Sequence, residues 1–335
     1  MNLQHLETIM DQNDLIAYAY SHYLNEMPRL LSPEMVHNLA AECDINQHTA
    51  FLTLFTAACG LEPDVNQRHR TLERTYIHPG VKQLDPSIYE NDPYYQTIRF
   101  SNHTCGRWQM KESFYVPFEP FVCNHPILTP DFREIPQIGY FNREFRFPAI
   151  LENGIEWMTV TPNEVETMRQ PIQHSSGKVL TLGLGLGYFA FSAAEKPEVE
   201  SVTVVERDQN VIKLFREQIL PQFPNRQKIC IIEGDAVEYL QKSATVPDFD
   251  YIFADLWHDQ SDGLPLYLRL CRIEKERALK RVDYWIEPTL LSSLRRMVYD
   301  KITDPKNPLK LQGISTEELL SDAFLKRLAP DVKAI

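Results

Sequence analysis

The sequence predicts an α/β protein: a doubly wound, mostly parallel sheet in the centre of the chain, preceded by a helical segment and a small β-rich domain. Three observations predict it. From Lys178 onward, short apolar runs alternate with helical periodicity, the pattern of βαβ units in a parallel sheet. The first apolar run ends in a glycine turn, Leu182-Gly183-Leu184-Gly185-Leu186-Gly187-Tyr188, which leads into a helix. Acidic residues stand at the ends of the next three runs, where such a sheet binds its ligand.

Taken in order, residues 1–100 read as a helical domain. Leu3, Leu6, Ile9 and Met10 recur at helical spacing, as do Leu15, Ile16, Ala19 and Tyr20. Ser32-Pro33-Glu34 is a helix start, with a capping serine, proline at the first helical position and an acid in the first turn. The apolar run 51–61 holds Gly60 near its end, a candidate C-cap. Residues 101–162 are assigned to a small β-rich domain. There, Asn153-Gly154 between two apolar stretches predicts a hairpin turn with positive φ at both residues. Thr161-Pro162-Asn163-Glu164 then starts a helix reaching about residue 170.

The third domain, 163–302, carries expected strands at 179–182, 201–205, 228–232, 249–254 and 282–286. Helices are expected at 188–195, 209–220, 236–242, 264–275 and 289–301. The last domain, 303–335, is a helical tail: proline-rich at 304–308, then helix at 316–328. No closing hairpin follows the fifth strand. Cys230 lies in Ile229-Cys230-Ile231-Ile232 and is expected in the core.

Composition excludes several functions. With 46 acidic against 34 basic residues, the net charge of -12 disfavours sequence-independent nucleic-acid binding. The basic stretch 269–281 interleaves Glu274 and Glu276, as a solvated helix face does. The six cysteines are scattered with no Cys-x-x-Cys pair, so no metal is expected. No apolar run approaches the roughly 20 residues of a membrane span, and the N-terminal residues lack a signal-peptide pattern. A cytoplasmic protein is expected, with a small-molecule acceptor as partner and a homodimer left open.

The glycine turn selects among cofactors. Nicotinamide and flavin folds carry G-x-G-x-x-G. Here the third glycine, Gly187, comes one position early, and Tyr188 follows. That spacing points to S-adenosylmethionine. The expected cofactor residues are Gly183, Leu184, Gly185 and Gly187 in the turn; Glu206 and Arg207 after the second strand; Asp235 and Ala236 after the third; and Asp255 after the fourth. A carboxylate at Glu206 accepts from both ribose hydroxyls. Asp235 faces the adenine amine or caps a helix. Asp255 and His258 are the catalytic candidates, His258 as a base.

These motifs resemble those of class I S-adenosylmethionine-dependent methyltransferases, whose fold is Rossmann-like. With the hairpin and helix upstream, 145–168, they are similar to the spermidine synthase branch, the aminopropyltransferases. The resemblance implies the cofactor loop at Gly183, Gly185 and Gly187, the ribose acid at Glu206 and the adenine-side acid at Asp235. It implies in Asp255 the base for an attacking amine. The chain departs from that branch at three places. His258 stands where a second aspartate is expected, Leu184, Leu186 and Tyr188 fill a loop that usually carries an acid, and Thr167 replaces a tyrosine. The function expected from the sequence is S-adenosylmethionine-dependent methyl transfer to a small molecule. The alternatives are a non-enzymatic S-adenosylmethionine-binding protein and an aminopropyltransferase.

Overall fold

The computed structural model describes residues 3–306 and 313–332. The chain forms two compact units, Met1–Glu90 with Ser113–Phe147, and Asn91–Glu112 with Pro148–Ile335. These units follow spatial contact, whereas the divisions at residues 100, 162 and 302 follow sequence texture.

In the first unit the apolar spacing becomes the helices Leu3–Glu26, Pro33–Cys43 and Gln47–Ala58. The Ser32 hydroxyl accepts from Met35 N–H at 3.2 Å and starts the second helix. The third helix ends at Ala58, and Gly60 follows at φ 74°. A three-stranded sheet places Glu134–Tyr140 between Val81–Gln83 and Phe121–Leu128. Phe51, Phe55, Phe118 and Tyr140 are buried in its core, and the rings of Phe51 and Tyr140 stack 3.8 Å apart.

The second unit holds the predicted parallel sheet. Its strands are β1 (Gly177–Leu182), β2 (Val199–Glu206), β3 (Ile229–Glu233), β4 (Tyr251–Ala254) and β5 (Val282–Tyr284), in the order β3-β2-β1-β4-β5. All four pairings are parallel. The helices are α1 (Tyr188–Glu195), α2 (Gln209–Leu214), α3 (Ala236–Lys242), α4 (Gln260–Arg277) and α5 (Glu287–Thr303). After β5 the described residues are helical, without a closing hairpin.

Several local expectations are corrected. Cys230 is exposed, not in the core, because β3 is an edge strand with only one neighbour. The helix expected over 209–220 is α-helical only to Leu214, then widens into a π turn, Phe215–Ile219. The helix expected from 264 starts at Gln260, because Asp259 and Asp262 form a capping box that sequence periodicity does not register. The helix expected over 316–328 is two pieces, Thr316–Leu319 and Asp322–Leu328, because Ser321 caps a new start. Residues 307 and 308 of the proline-rich stretch lie outside the described residues. The basic face of α4 is not merely solvated. Arg272 donates to the carbonyls of Pro330 and Val332, Lys275 pairs with Asp331, and Arg277 donates to the carbonyls of Leu240 and Ser243.

The hairpin forms as predicted: Phe145–Glu152 pairs with Ile155–Thr159, and Asn153 and Gly154 sit at φ 51° and 87°. The helix after it, Pro162–His174, runs on past residue 170 through Pro171. No described helix is long and apolar enough to cross a membrane. Among the described residues no cluster could hold a metal ion.

Candidate functional site

A cavity of about 780 Å³ opens in the second unit, beyond the carboxyl ends of β1 to β4. Its wall contains every residue named from the sequence: Gly183, Leu184, Gly185, Gly187, Glu206, Arg207, Asp235, Ala236, Asp255 and His258. The topology accounts for this, since parallel strands deliver their C-terminal residues to one edge of the sheet.

One half of the cavity is built from backbone. Gly183, Gly185 and Gly187 have φ of 96°, 52° and 79°. At Gly183 no other residue fits: a Cβ would lie 1.9 Å from the Asp255 carbonyl oxygen. Glu206 ends β2, and three backbone amides hold its carboxylate: Leu184 N–H at 3.2 Å, Arg207 N–H at 2.8 Å and Asp208 N–H at 2.9 Å. Asp235 caps α3, accepting from Glu238 N–H at 2.8 Å, and lines the cavity as well. The two readings of Asp235 are thus compatible. Arg107 reaches Glu152 at 2.7 Å and Asp208 at 2.9 Å, tying the hairpin to the turn after β2.

The other half is built from charge. Asp255 follows β4, anchored by its own N–H on the Leu182 carbonyl at 2.9 Å. Burial pushes its carboxyl up to about 8, with added repulsion from Glu164 and then Glu206. Sequence reasoning missed Glu164 as a site residue. It caps the helix Pro162–His174, accepting from Thr161 N–H at 2.8 Å and Thr159 Oγ1 at 3.2 Å, while it lines the cavity. Burial raises its carboxyl too. The signal that could have found it is the capping box directly after the hairpin.

His258 is exposed at the rim. Its ring stacks on Trp157 with centroids 5.0 Å apart, and its Nδ1 lies 3.3 Å from the Trp157 carbonyl. Trp257 is buried, 5% exposed, and lies against Gly263. Thr167, at the position of the expected tyrosine, is buried and accepts from Trp285 Nε1 at 3.0 Å. The chain has four tryptophans, Trp108, Trp157, Trp257 and Trp285, and all four line this cavity. Seven carboxylates and three arginines also line it, and Arg107 is already paired with Glu152 and Asp208. A wall of this kind attracts cations, through charge and through aromatic faces.

Residues 166–279 match the family model described as the spermine/spermidine synthase domain. Three solved structures are similar, each at 21% identity. Spermidine synthase from Thermotoga maritima matches over 40% of this chain and 49% of that one, with a TM-score of 0.29. A probable spermidine synthase from Corynebacterium glutamicum matches over 37% and 51%, with a TM-score of 0.28. A spermidine synthase in complex with the transition-state analogue AdoDATO matches over 40% and 51%, with a TM-score of 0.31. The match thus spans about half the length of those structures. No curated protein matches the chain.

The family match corrects two expectations. Methyl transfer was expected, with S-adenosylmethionine as the methyl donor. The match is instead to a domain of aminopropyl transfer, whose donor is decarboxylated S-adenosylmethionine. The turn spacing misled because the two donors share their adenosyl part, so a spacing read as adenosyl-binding does not tell them apart. It is silent on the group transferred.

Proposed function

We propose that this chain transfers an aminopropyl group from decarboxylated S-adenosylmethionine to an amine acceptor. The observation that carries the reading is the convergence of Glu164, Glu206 and Asp255 in one cavity, close enough for the first two to raise the third. The decarboxylated donor carries a sulfonium and an ammonium and no carboxylate. S-adenosylmethionine would bring a carboxylate toward these acids, and like charges in a partly buried site repel by several kcal/mol at about 4 Å. The residues fit the adenosyl donor. Glu206 is preset by three amides to accept from the ribose hydroxyls, with Arg207 beside it, and Asp235 and Ala236 stand at the adenine side.

In the reaction, the neutral amine nitrogen of the acceptor attacks the propyl carbon bonded to sulfur. The nitrogen–carbon bond forms and the carbon–sulfur bond breaks. The electron pair returns to sulfur, leaving neutral 5′-methylthioadenosine. Asp255 takes the proton the nitrogen sheds, and a carboxyl displaced toward neutrality is suited to that exchange. Glu164 holds the donor's ammonium. His258, stacked on Trp157 at the rim, orients the acceptor. The chain's remaining task is alignment and exclusion of water.

The test is titration of the protein with decarboxylated S-adenosylmethionine and with S-adenosylmethionine, followed by tryptophan fluorescence, then incubation of the better ligand with a panel of amines. The decarboxylated donor is expected to bind about tenfold or more tighter, a difference of roughly 1.4 kcal/mol, and 5′-methylthioadenosine to appear with at least one amine. Equal or tighter binding of S-adenosylmethionine, with no 5′-methylthioadenosine from any amine, overturns the reading.

A further inference from the structure

The glycine turn carries leucines and a tyrosine in a loop where an acid is usual, and what steadies it lies behind it. Tyr94 is fully buried and stands outside the cavity wall. Its hydroxyl donates to the Leu186 carbonyl at 2.6 Å. Gly187 N–H, on the other edge of the same peptide group, donates to the Leu184 carbonyl at 2.9 Å. The Leu186–Gly187 peptide is therefore pinned on both edges, which fixes its plane in the middle of the turn.

A second path closes around Gly187. Asp92 Oδ1 accepts from Tyr94 N–H at 2.8 Å, and Asp92 Oδ2 accepts from Tyr188 Oη at 3.0 Å. Tyr188 is the first residue of α1. The Tyr94 ring meets Tyr188 and Phe191 edge-on, at 5.4 and 5.3 Å between centroids. One half-buried carboxylate and two phenols thus link the residue before Gly187 to the residue after it. A buried carbonyl that loses its donor is costly to leave unpaired, so the circuit favours one turn conformation over its alternatives.

We propose that Asp92, Tyr94 and Tyr188 form a clamp that positions the donor-binding turn, with Asp92 and Tyr94 acting as positioning residues that never meet the donor. The proposal rests on the donor reading above for its kinetic consequence, but its geometric part stands apart from it. A merely structural tyrosine would add to stability without preference for the donor. A clamp on this turn acts on donor binding and leaves the acceptor side unchanged.

The test is Tyr94→Phe, which removes the hydroxyl and keeps the ring, and Asp92→Asn, which keeps Tyr94 whole. Hydrogen exchange is measured across residues 183–188, and steady-state kinetics with decarboxylated S-adenosylmethionine and an accepted amine. Gly187 N–H is expected to exchange about tenfold faster in Tyr94→Phe, with exchange in the strands β1 to β5 unchanged. The KM for the donor is expected to rise about tenfold, with kcat and the amine KM within about twofold of wild type. Unchanged exchange in the turn, or equal losses in kcat and both KM values, overturns the clamp. If wild type releases no 5′-methylthioadenosine, the donor reading fails, and the exchange measurement alone decides the clamp. If Tyr94→Phe does not fold, Asp92→Asn decides by the same measurements.

Discussion

The two halves of the cavity are built on opposite principles. The half proposed to take the donor is backbone: three glycines at positive φ and a carboxylate, Glu206, held by three amides. The half proposed to hold the reacting groups is charge: Asp255 and Glu164, both raised by burial, with an exposed His258–Trp157 stack at the rim. The first half is satisfied without a ligand. The second gathers carboxyls that burial and mutual repulsion raise, and the proposed cationic donor would relieve that repulsion. If the proposed donor binds here, the binding energy for its adenosyl part comes from geometry already set during folding. On the same proposal, selectivity for the transferred group comes from the crowding of carboxylates around Asp255.

The largest expected effect lies in the strained half. Asp255→Asn removes the proposed proton acceptor and is expected to cut the rate of 5′-methylthioadenosine release by about 10² to 10⁴-fold. The same change should stabilise the fold. Asp255 keeps its proton up to about 8 in the folded protein, against the ordinary carboxyl value of 3.8. Between those values the folded state binds more protons than the unfolded one, so stability falls as pH rises through that window. Thermal melting at pH 5 and pH 8 checks this: wild type loses stability between them, and Asp255→Asn loses less. A variant that melts lower than wild type at pH 8 would show that the carboxylate is paired rather than strained.

The donor half should respond in the fold instead. Gly183→Ala places a Cβ 1.9 Å from the Asp255 carbonyl oxygen, at φ 96°, where neither strand end can give way. A loss of about 3 kcal/mol or more in urea unfolding is expected. Gly185 has φ 52° and nothing within 4 Å of its Cβ position. Gly185→Ala should therefore cost only about 1 kcal/mol, the left-handed backbone penalty. Equal losses at the two positions would show that the close approach to Asp255 does not constrain the turn.

The same contrast explains what could be read from the chain. The backbone-built half was legible. Glycines and the strand-end acids Glu206, Asp235 and Asp255 are local signals at spacings that the alternating pattern locates. All of them reach one cavity. The strained half was legible only in Asp255 and His258. Glu164 looked like an ordinary capping residue, because its second role depends on β4 arriving beside it from far along the chain. Cys230 was misplaced for a related reason: an apolar run does not say whether its strand lies at the edge of the sheet. The transferred group was misread because the glycine spacing is shared by both donor types, and the acids that bear on the proposed donor are assembled in three dimensions.

The smallest effect tests the coupling inside the strained half. Glu164→Gln removes a neighbouring negative charge that helps to raise Asp255. Glutamine still serves in a capping box, so the helix Pro162–His174 should start as before. With one repulsion gone, the Asp255 carboxyl drops toward its ordinary value. The acid limb of the kcat/KM profile, which reports the free enzyme, should then move to lower pH by about half to one unit. Burial remains the larger cause, so most of the displacement should survive the substitution. The donor KM should rise as well, since the ammonium loses its carboxylate, and this separates Glu164 from a residue that acts only through Asp255. A limb that stays in place while the donor KM rises would leave Glu164 as a binding group uncoupled from the base. A limb that moves upward would mean that another charge sets Asp255.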